Sequence, residues 1–331
     1  MSRGVRFYET GDAGVLKIEE VEETSPAAGE VKIKVAAIGL NRSDIMFRTG
    51  QYIESPVFPS KIGYEASGVI EEIGSGVEGF AIGQKVSTIP AFSMGEHGVY
   101  GEKAIVPAHA VSAYPHQLSS EEATAIWMAY ITAYGALVEY GQLQESDSLL
   151  ITAAGSSVGL ATIQLARSIG AKVIATTRSE KKVDGLLAAG AHTVVNTTTA
   201  SWTEQVLEAT GGKGVKLVFD PIGGAMLNHL AEVTAAGGMI IEYGALASEE
   251  TIYPLFSALA KGLIIKGYTL FEITKSEEML LRAKQFILDA LNKGEIKPKI
   301  DKVFPFEAVQ EAHQYMERNG QMGKIILKLD D

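Results

Sequence analysis

The sequence predicts an α/β protein built on a doubly wound, mostly parallel sheet, accompanied by a second region of short strands and long loops. Three observations predict it. The segment SLLITAAGSSVGLATIQLARSIGAKVIATTR, residues 148–178, reads as strand, tight turn, helix, strand. Beyond it strand and helix patterns keep alternating to residue 268, whereas residues 31–106 carry extended runs punctuated by Gly and Pro. A chain of 331 residues also exceeds the usual single core, so two domains are expected.

In order, residues 31–37 alternate and then run apolar, 67–73 are extended, and 85–89 and 102–106 follow as further short strands. From residue 121 the texture changes: EEATAIWMAYITAYGALVEYG is Ala-rich and of helix length, and leads into the parallel sheet. Leu149, Leu150 and Ile151 form an apolar run without alternation, as a parallel strand buried on both faces requires. Val158, Ala161, Thr162, Leu165, Ala166 and Ile169 then recur at helical spacing, and Gly170 ends the helix. An extended run resumes at 172–176. Residues 193–196 and 216–220 read as the next strands, 224–235 as a helix, 239–243 as a fifth strand and 263–268 as a sixth. Helices near 277–292 and 306–318 and a strand at 324–328 close the chain. If this last stretch folds back on the first region, the domains are 1–124 with 267–331, and 125–266.

The turn after the first parallel strand carries the chemistry. The first, third and sixth positions of a dinucleotide fingerprint are Ala154, Ser156 and Gly159. Beside Gly155, Ser156, Ser157, Val158 and Gly159 a helix N-terminus presents unpaired N–H groups and the positive end of its dipole, which suits a pyrophosphate. About 20 residues past such a turn an NAD site places Asp or Glu on the ribose hydroxyl. This chain has Thr176, Thr177, Arg178 and Ser179 instead, with Lys181 and Lys182 just beyond. Cationic and hydroxyl groups hold a 2′-phosphate through charge-assisted hydrogen bonds, so Thr177, Arg178, Ser179 and Lys182 favour NADPH over NADH. Cations in the first turn of a helix oppose its dipole, and an anionic partner relieves that conflict.

Composition narrows the rest. Hydrophobic residues make up 46% and charged residues 21% of the chain, an ordinary globular balance. The net charge of −11 argues against nucleic acid and anionic membranes as partners. No apolar run approaches the roughly 20 residues that span a bilayer. With no cysteine there is no disulfide, thiolate nucleophile or Cys-based zinc site. The residues His97, His109, His116, His192, His229 and His313 are scattered without a paired ligand spacing. No metal site is expected.

Several segments stand in a known order. Gly63, Glu65, Gly68, Gly74 and Val77 stand at the spacing of a known signature; AAGSSVG is followed by Gln164; then come VFDPIGG at 218–224, Gly237 with Gly238, the YGA of Tyr243, Gly244 and Ala245, and GKIILKL from Gly323. Nearly end to end, the chain resembles the medium-chain dehydrogenase/reductase superfamily and, within it, the zinc-free quinone oxidoreductases related to zeta-crystallin. The resemblance implies a GroES-like, mostly-β catalytic domain, a Rossmann nucleotide-binding domain, and a homodimer paired through edge strands near 263–268. Zinc-dependent relatives carry Cys where this chain has Asn41 and His where it has Tyr64, and their four-cysteine loop has no counterpart at 92–101. Typical quinone oxidoreductases have two glycines where this chain has Ser156 and Ser157; either the backbone approaches the pyrophosphate less closely or the hydroxyls supply hydrogen bonds.

Without a Lewis acid, alcohol oxidation is disfavoured. Reducing a quinone or an α,β-unsaturated carbonyl asks less: hydride passes to a conjugated acceptor and a hydrogen-bond donor steadies the oxygen. The resemblance places Asn41 near the nicotinamide and its ribose, Tyr52 at the substrate cleft, Thr132 beside the nicotinamide, Leu270 and Phe271 as the wall beneath it, and Lys324 reaching back to the cofactor. Tyr64 occupies a former metal-ligand position, so Tyr52 or Tyr64 is the expected donor to the developing oxyanion. Asp44 is expected to cap or hydrogen-bond within its loop. The reading is a cytoplasmic, metal-free, NADPH-dependent reductase of quinones or related conjugated carbonyls. Its alternatives are an enone or enoyl-thioester double-bond reductase on the same scaffold and an NADPH-binding protein of low turnover.

Overall fold

The structure, a computed structural model, describes residues 1–330. The chain divides into two compact units, Met1–Met128 with the segment from Lys297 onward, and Ala129–Ile296. The first unit holds β1 (Ser2–Arg6), β2 (Lys17–Val21), β3 (Glu30–Gly39), β4 (Glu65–Ile73), β5 (Lys85–Thr88), β6 (Lys103–Pro107) and β7 (Val111–Ala113). The second holds β8 (Ser148–Ile151), β9 (Lys172–Thr177), β10 (Thr193–Asn196), β11 (Val215–Asp220), β12 (Thr234–Glu242) and β13 (Ile264–Gly267). The chain then returns to the first unit with β14 (Ile300–Pro305) and β15 (Lys324–Lys328).

Long β3 organises the first unit. It pairs antiparallel with β4 along most of its length, with β6 through its first half and with β15 through Ala37–Gly39, in a sheet ordered β14-β15-β3-β4-β5-β7. Register shifts against β4 near Lys32 and Val35 are bulges that bend the strand and let it serve different partners. Val31, Ile33, Ala37 and Ile38 are fully buried on it. Immediately after β3, the helix Arg42–Arg48 begins at Asn41. The expected strands of this region are present, each within two residues of its predicted limits.

The second unit is an all-parallel sheet ordered β10-β9-β8-β11-β12-β13. The order reverses between β8 and β11, and ligands bind at such a switch point, outside the carboxyl ends of the strands. Leu149, Leu150 and Ile151 are fully buried, which explains their lack of alternation. Leu150, Ile174, Val218 and Ile240 line up across the sheet and, with Val195 two residues further along β10, pack with Val206, Leu227 and Leu230 from the flanking helices. At the border of the sheet, Ile264 on β13 is 51% exposed, and the preceding helix Leu255–Lys261 turns Phe256 and Leu259 outward.

Three expectations need correction. Residues 267–296 lie in the second unit, not with the first. Tyr134 packs on Phe286, Arg282 forms an ion pair with Glu139, and the Tyr268 hydroxyl donates to the Ile131 carbonyl, so the helix Glu277–Asn292 is anchored there. The long helix expected from residue 121 is broken. Ser119 and Glu122 cap a short helix, Ser120–Ala123, before Trp127–Tyr134 begins, and Gly135–Tyr140 winds as a π-helix. At Gly135 a β-carbon would stand 2.1 Å from the Tyr268 hydroxyl, so that ring occupies the space beside the wider turn. The helix expected at 224–235 is Met226–Val233, and β12 starts at once with Thr234. Lys261 stops the helix by donating to the carbonyls of Ala231, Glu232 and Thr234 at 3.0, 2.6 and 3.0 Å.

Candidate functional site

In the second unit the sheet's carboxyl edge assembles the nucleotide turn. Thr152 leaves β8, and Ala153 adopts φ +45°, a left-handed conformation that a β-carbon disfavours. It is held by the Ser156 N–H on the Ala153 carbonyl at 2.9 Å and by the Ala154 N–H on Thr176 at 3.4 Å. Ser156 is the N-cap of the helix Ser157–Ile169, its hydroxyl accepting the Gly159 N–H at 3.0 Å. One of the serines expected to bond an anion is therefore spent in part on the helix. The N–H groups of Ser157 and Val158 remain first-turn donors without an intrahelical acceptor. Gly159 is required by packing: a β-carbon there would come within 2.6 Å of the Ala154 carbonyl oxygen.

The neighbouring strand ends set the charge of this edge. Past β9, Thr177 takes the Ser179 N–H at 3.1 Å and Arg178 projects into solvent. Lys182 folds over the turn, its Cδ and Nζ lying 3.2 and 3.4 Å from where a β-carbon on Gly155 would stand. The nearby carboxylate, Glu180, is bonded by the Asn196 amide. At the ends of β11 and β12, Tyr243 stacks on Phe219 with ring centroids 4.0 Å apart, and its phenol lies against the Ser156 hydroxyl. Gly244 and Ala245 follow, exposed; a β-carbon on Gly244 would press on the Pro221 carbonyl at 2.8 Å. Leu270 is buried at the start of the helix Phe271–Thr274, Phe271 is half-buried with the Lys275 ammonium 5.8 Å from its ring, and Thr132 is buried in the helix Trp127–Tyr134. Sequence reasoning missed Thr152, Asp220 and Glu242, which share this edge; the available signal was an acid at the carboxyl end of two adjacent parallel strands.

In the first unit the structure joins Asn41 to Glu65 on β4 and Lys324 on β15. Its amide donates to Glu65 at 3.1 Å, and its side-chain oxygen accepts from the Lys324 ammonium at 2.6 Å. Lys324 also pairs with Glu65, and each is only 1% exposed. Glu65 further accepts the Met128 N–H at 2.8 Å. The expectation that Lys324 reaches a cofactor therefore meets a buried ammonium already held by Glu65 and Asn41. Asp44 accepts the Asn41 N–H and the Tyr100 hydroxyl, both at 2.9 Å. Tyr64 is fully buried, with its ring 6.4 Å from the half-buried Tyr52 and 5.6 Å from Phe92. Burial pushes the Tyr52 phenol up to about 12 and raises Tyr64 as well. Both keep their protons at neutral pH, the form in which a phenol donates a hydrogen bond. Among the described residues no three His, Asp or Glu side chains converge to hold a metal.

Tyr100 links two groups with opposing pH responses. Burial pushes Asp44 up to about 7, while burial and then the Arg48 charge push His313, edge-on to the Tyr100 ring at 5.8 Å, down to about 3. Neither ring nitrogen of His313 meets a partner. Native Asp44 keeps a proton that the unfolded chain releases near 3.8, so its contribution to stability falls as pH rises from there to about 7. Unfolded His313 takes up a proton near 6.5 that the native ring refuses, so its contribution falls as pH drops from 6.5. Thermal midpoints measured from pH 4 to 7 should show His313→Leu gaining on the parent toward acid and Asp44→Asn gaining on it toward neutrality. Curves parallel to the parent would mean that neither group is perturbed.

Comparison with known proteins places this geometry. Residues 27–116 match the alcohol dehydrogenase GroES-like domain model, and residues 157–285 match the zinc-binding dehydrogenase model. A quinone oxidoreductase of Rattus norvegicus is 33% identical over 99% of this chain and 98% of its own length. The chain belongs to the quinone oxidoreductase family of the medium-chain dehydrogenase/reductase superfamily. A solved quinone oxidoreductase of Escherichia coli, complexed with NADPH, shares the fold at TM-score 0.91 with 26% identity, covering 98% of this chain and 99% of that one. An NAD-dependent alcohol dehydrogenase structure aligns at TM-score 0.92 with 32% identity, covering 99% and 100%. Like its family, the protein is an oxidoreductase with a GroES-like domain and a Rossmann-like parallel sheet, and its cofactor is of the nicotinamide type. The turn fits such a group: small residues at the crossover, a helix N-terminus facing it and a lysine folded over it. Among the described residues no helix is long and apolar enough to cross a membrane.

Proposed function

We propose that this protein is a metal-independent, NADPH-dependent reductase that delivers hydride to quinones or related conjugated carbonyls. The observation that carries the reading is the end of β9, where Thr177, Arg178 and Ser179 stand in place of a ribose-binding carboxylate and Lys182 lies over Gly155. Such a set attracts a 2′-phosphate. The first unit supports the second half of the reading. Where zinc-dependent relatives carry two metal ligands, Asn41 and Tyr64 stand here, and Glu65, the acid bonded by the Asn41 amide, is paired with Lys324. When bound, the reduced nicotinamide supplies the hydride. The protein's part is to hold the dinucleotide by the first-turn N–H groups and the β9 cations, and to present the protonated phenol of Tyr52 or Tyr64 to the oxygen that gains charge. With the phenol of Tyr64 filling a position that holds a metal ligand in zinc-dependent relatives, hydrogen bonding, not Lewis acidity, is left to stabilise that oxygen. The named relatives, a quinone oxidoreductase and one complexed with NADPH, support both cofactor and acceptor class.

The apolar outer side of β13 and its flanking helix supports assembly as a homodimer in which two such edges pair. Turnover is tested by following nicotinamide absorbance with a panel of quinones and enones, and kcat/KM across the panel separates quinone from double-bond reduction. No oxidation of NADPH with any of them would overturn the reading. Arg178→Ala or Lys182→Ala should weaken NADPH about tenfold or more beyond any loss for NADH, the range of one charge-assisted hydrogen bond. Equal losses for the two cofactors would remove the 2′-phosphate assignment.

A further inference from the structure

The carboxyl ends of β11 and β12 each carry an acid, and the parallel register sets Asp220 beside Glu242. Their surroundings differ. Asp220 accepts from the Thr152 hydroxyl and from the N–H groups of Ile222 at 3.1 Å and Gly223 at 2.7 Å. Both oxygens of Glu242 are shielded from solvent, and neither meets an N–H or O–H donor. Two ionised carboxylates side by side would repel with nothing between them to offset it, whereas one proton turns the contact into a hydrogen bond. We propose that Glu242 and Asp220 share a single proton, with Glu242 donating, and that this bond fixes the floor of the nicotinamide half of the crevice. That makes Glu242 a positioning residue for the bound dinucleotide.

The floor hangs on Asp220. Its side chain holds the amides of Ile222 and Gly223, and its carbonyl takes the Tyr243 N–H at 2.9 Å. Leu246 and Ala247 in turn donate to the carbonyls of Pro221 and Ile222 at 3.0 and 2.9 Å. A displacement of Asp220 therefore moves both the loop after β11 and the one after β12. The assignment to the nicotinamide half rests on the proposed cofactor. With Arg178 and Lys182 past β9 taking the adenosine side, strand order leaves the other mononucleotide over β11 and β12. The groups that act on the two carboxyls are each other, Thr152 from the end of β8, the loop amides and Tyr243 on the same strand; from β13, Gly267 faces Glu242 with no side chain. Burial first, and then the Asp220 charge, push Glu242 up to about 9, and burial raises Asp220 also.

The signs follow. Folded Glu242 keeps its proton up to about pH 9, whereas the unfolded chain releases it near 4.5, so native stability falls as pH rises through that window. Glu242→Gln donates the same hydrogen bond without titrating. The test measures NADPH dissociation constants by fluorescence from pH 6 to 10.5, and thermal midpoints of the cofactor-free protein over pH 5 to 9.5, for the parent, Glu242→Gln and Glu242→Ala. Parent affinity should hold to about pH 8 and then fall, approaching tenfold per pH unit beyond the loss of the proton. Gln should bind like the parent at pH 7 and stay flat above 9, Ala should bind several-fold more weakly throughout, and the parent's thermal midpoint should decline relative to Gln between pH 5 and 9. Parent and Gln profiles that coincide in both measurements would overturn the shared proton. A protein that binds no NADPH at any pH would overturn the proposed cofactor, and the midpoints alone would then decide whether the two acids share a proton.

Discussion

Gly159→Ala is expected to destroy the grip on the dinucleotide. A β-carbon at that position would stand 2.6 Å from the Ala154 carbonyl oxygen and 2.7 Å from both its carbonyl carbon and its Cα, so the helix must draw back from the turn. Overpacking of this kind costs about 1–3 kcal/mol. The retreat also carries away the N–H groups of Ser157 and Val158 and breaks the bond from the Gly159 N–H to Ser156. Titration calorimetry with NADPH should show affinity reduced by at least about tenfold, equivalent to roughly 1.4 kcal/mol, together with a lower thermal midpoint of the cofactor-free protein. Parent-like affinity would mean that no pyrophosphate lies at this turn.

Lys324→Met should be the most damaging single change to stability. The variant preserves much of the side chain's bulk but removes the cation paired with Glu65, which is 1% exposed and would face only the Asn41 amide and the Met128 N–H. Removing one partner of a buried pair costs about 3–5 kcal/mol, a large share of a domain's total. Lys324→Met combined with Glu65→Gln should recover most of the loss, because no buried charge then lacks a partner while the glutamine oxygen still accepts from Met128. Urea denaturation followed by circular dichroism provides the comparison. If the single and double variants unfold at the same midpoint, the ion pair is not what holds this part of the sheet.

Much of the fold was legible because it rests on local pattern. The buried run at Leu149, Leu150 and Ile151, the helical stripe that follows it and the left-handed Gly170 at its end are each dictated by neighbours in sequence, and each is found. The strands Ser2–Arg6, Lys17–Val21 and Ile300–Pro305 were not legible, since their alternating charged residues resemble loop and their order comes from distant pairing. The helix Trp127–Tyr134 shows the converse: its composition promises a longer helix than tertiary packing permits, and Tyr268, remote in sequence, takes the space at Gly135. At the site, the small residues of the turn and the cations after β9 could be read directly. The network of Asn41, Glu65 and Lys324 could not, because 259 residues separate the two members of its ion pair. The same holds for Asp220 and Glu242, which meet only through strand register.

The left-handed Ala153 has one more consequence. Ala153 is kept at φ +45° by bonds within the chain, the Ser156 N–H on its carbonyl and the neighbouring Ala154 N–H on Thr176, so the crossover needs no nucleotide to hold its working shape. Recognition at that point is a lock awaiting its key. Association should accordingly be fast and free of a slow rearrangement at this corner, and the backbone there should superpose between empty and loaded forms.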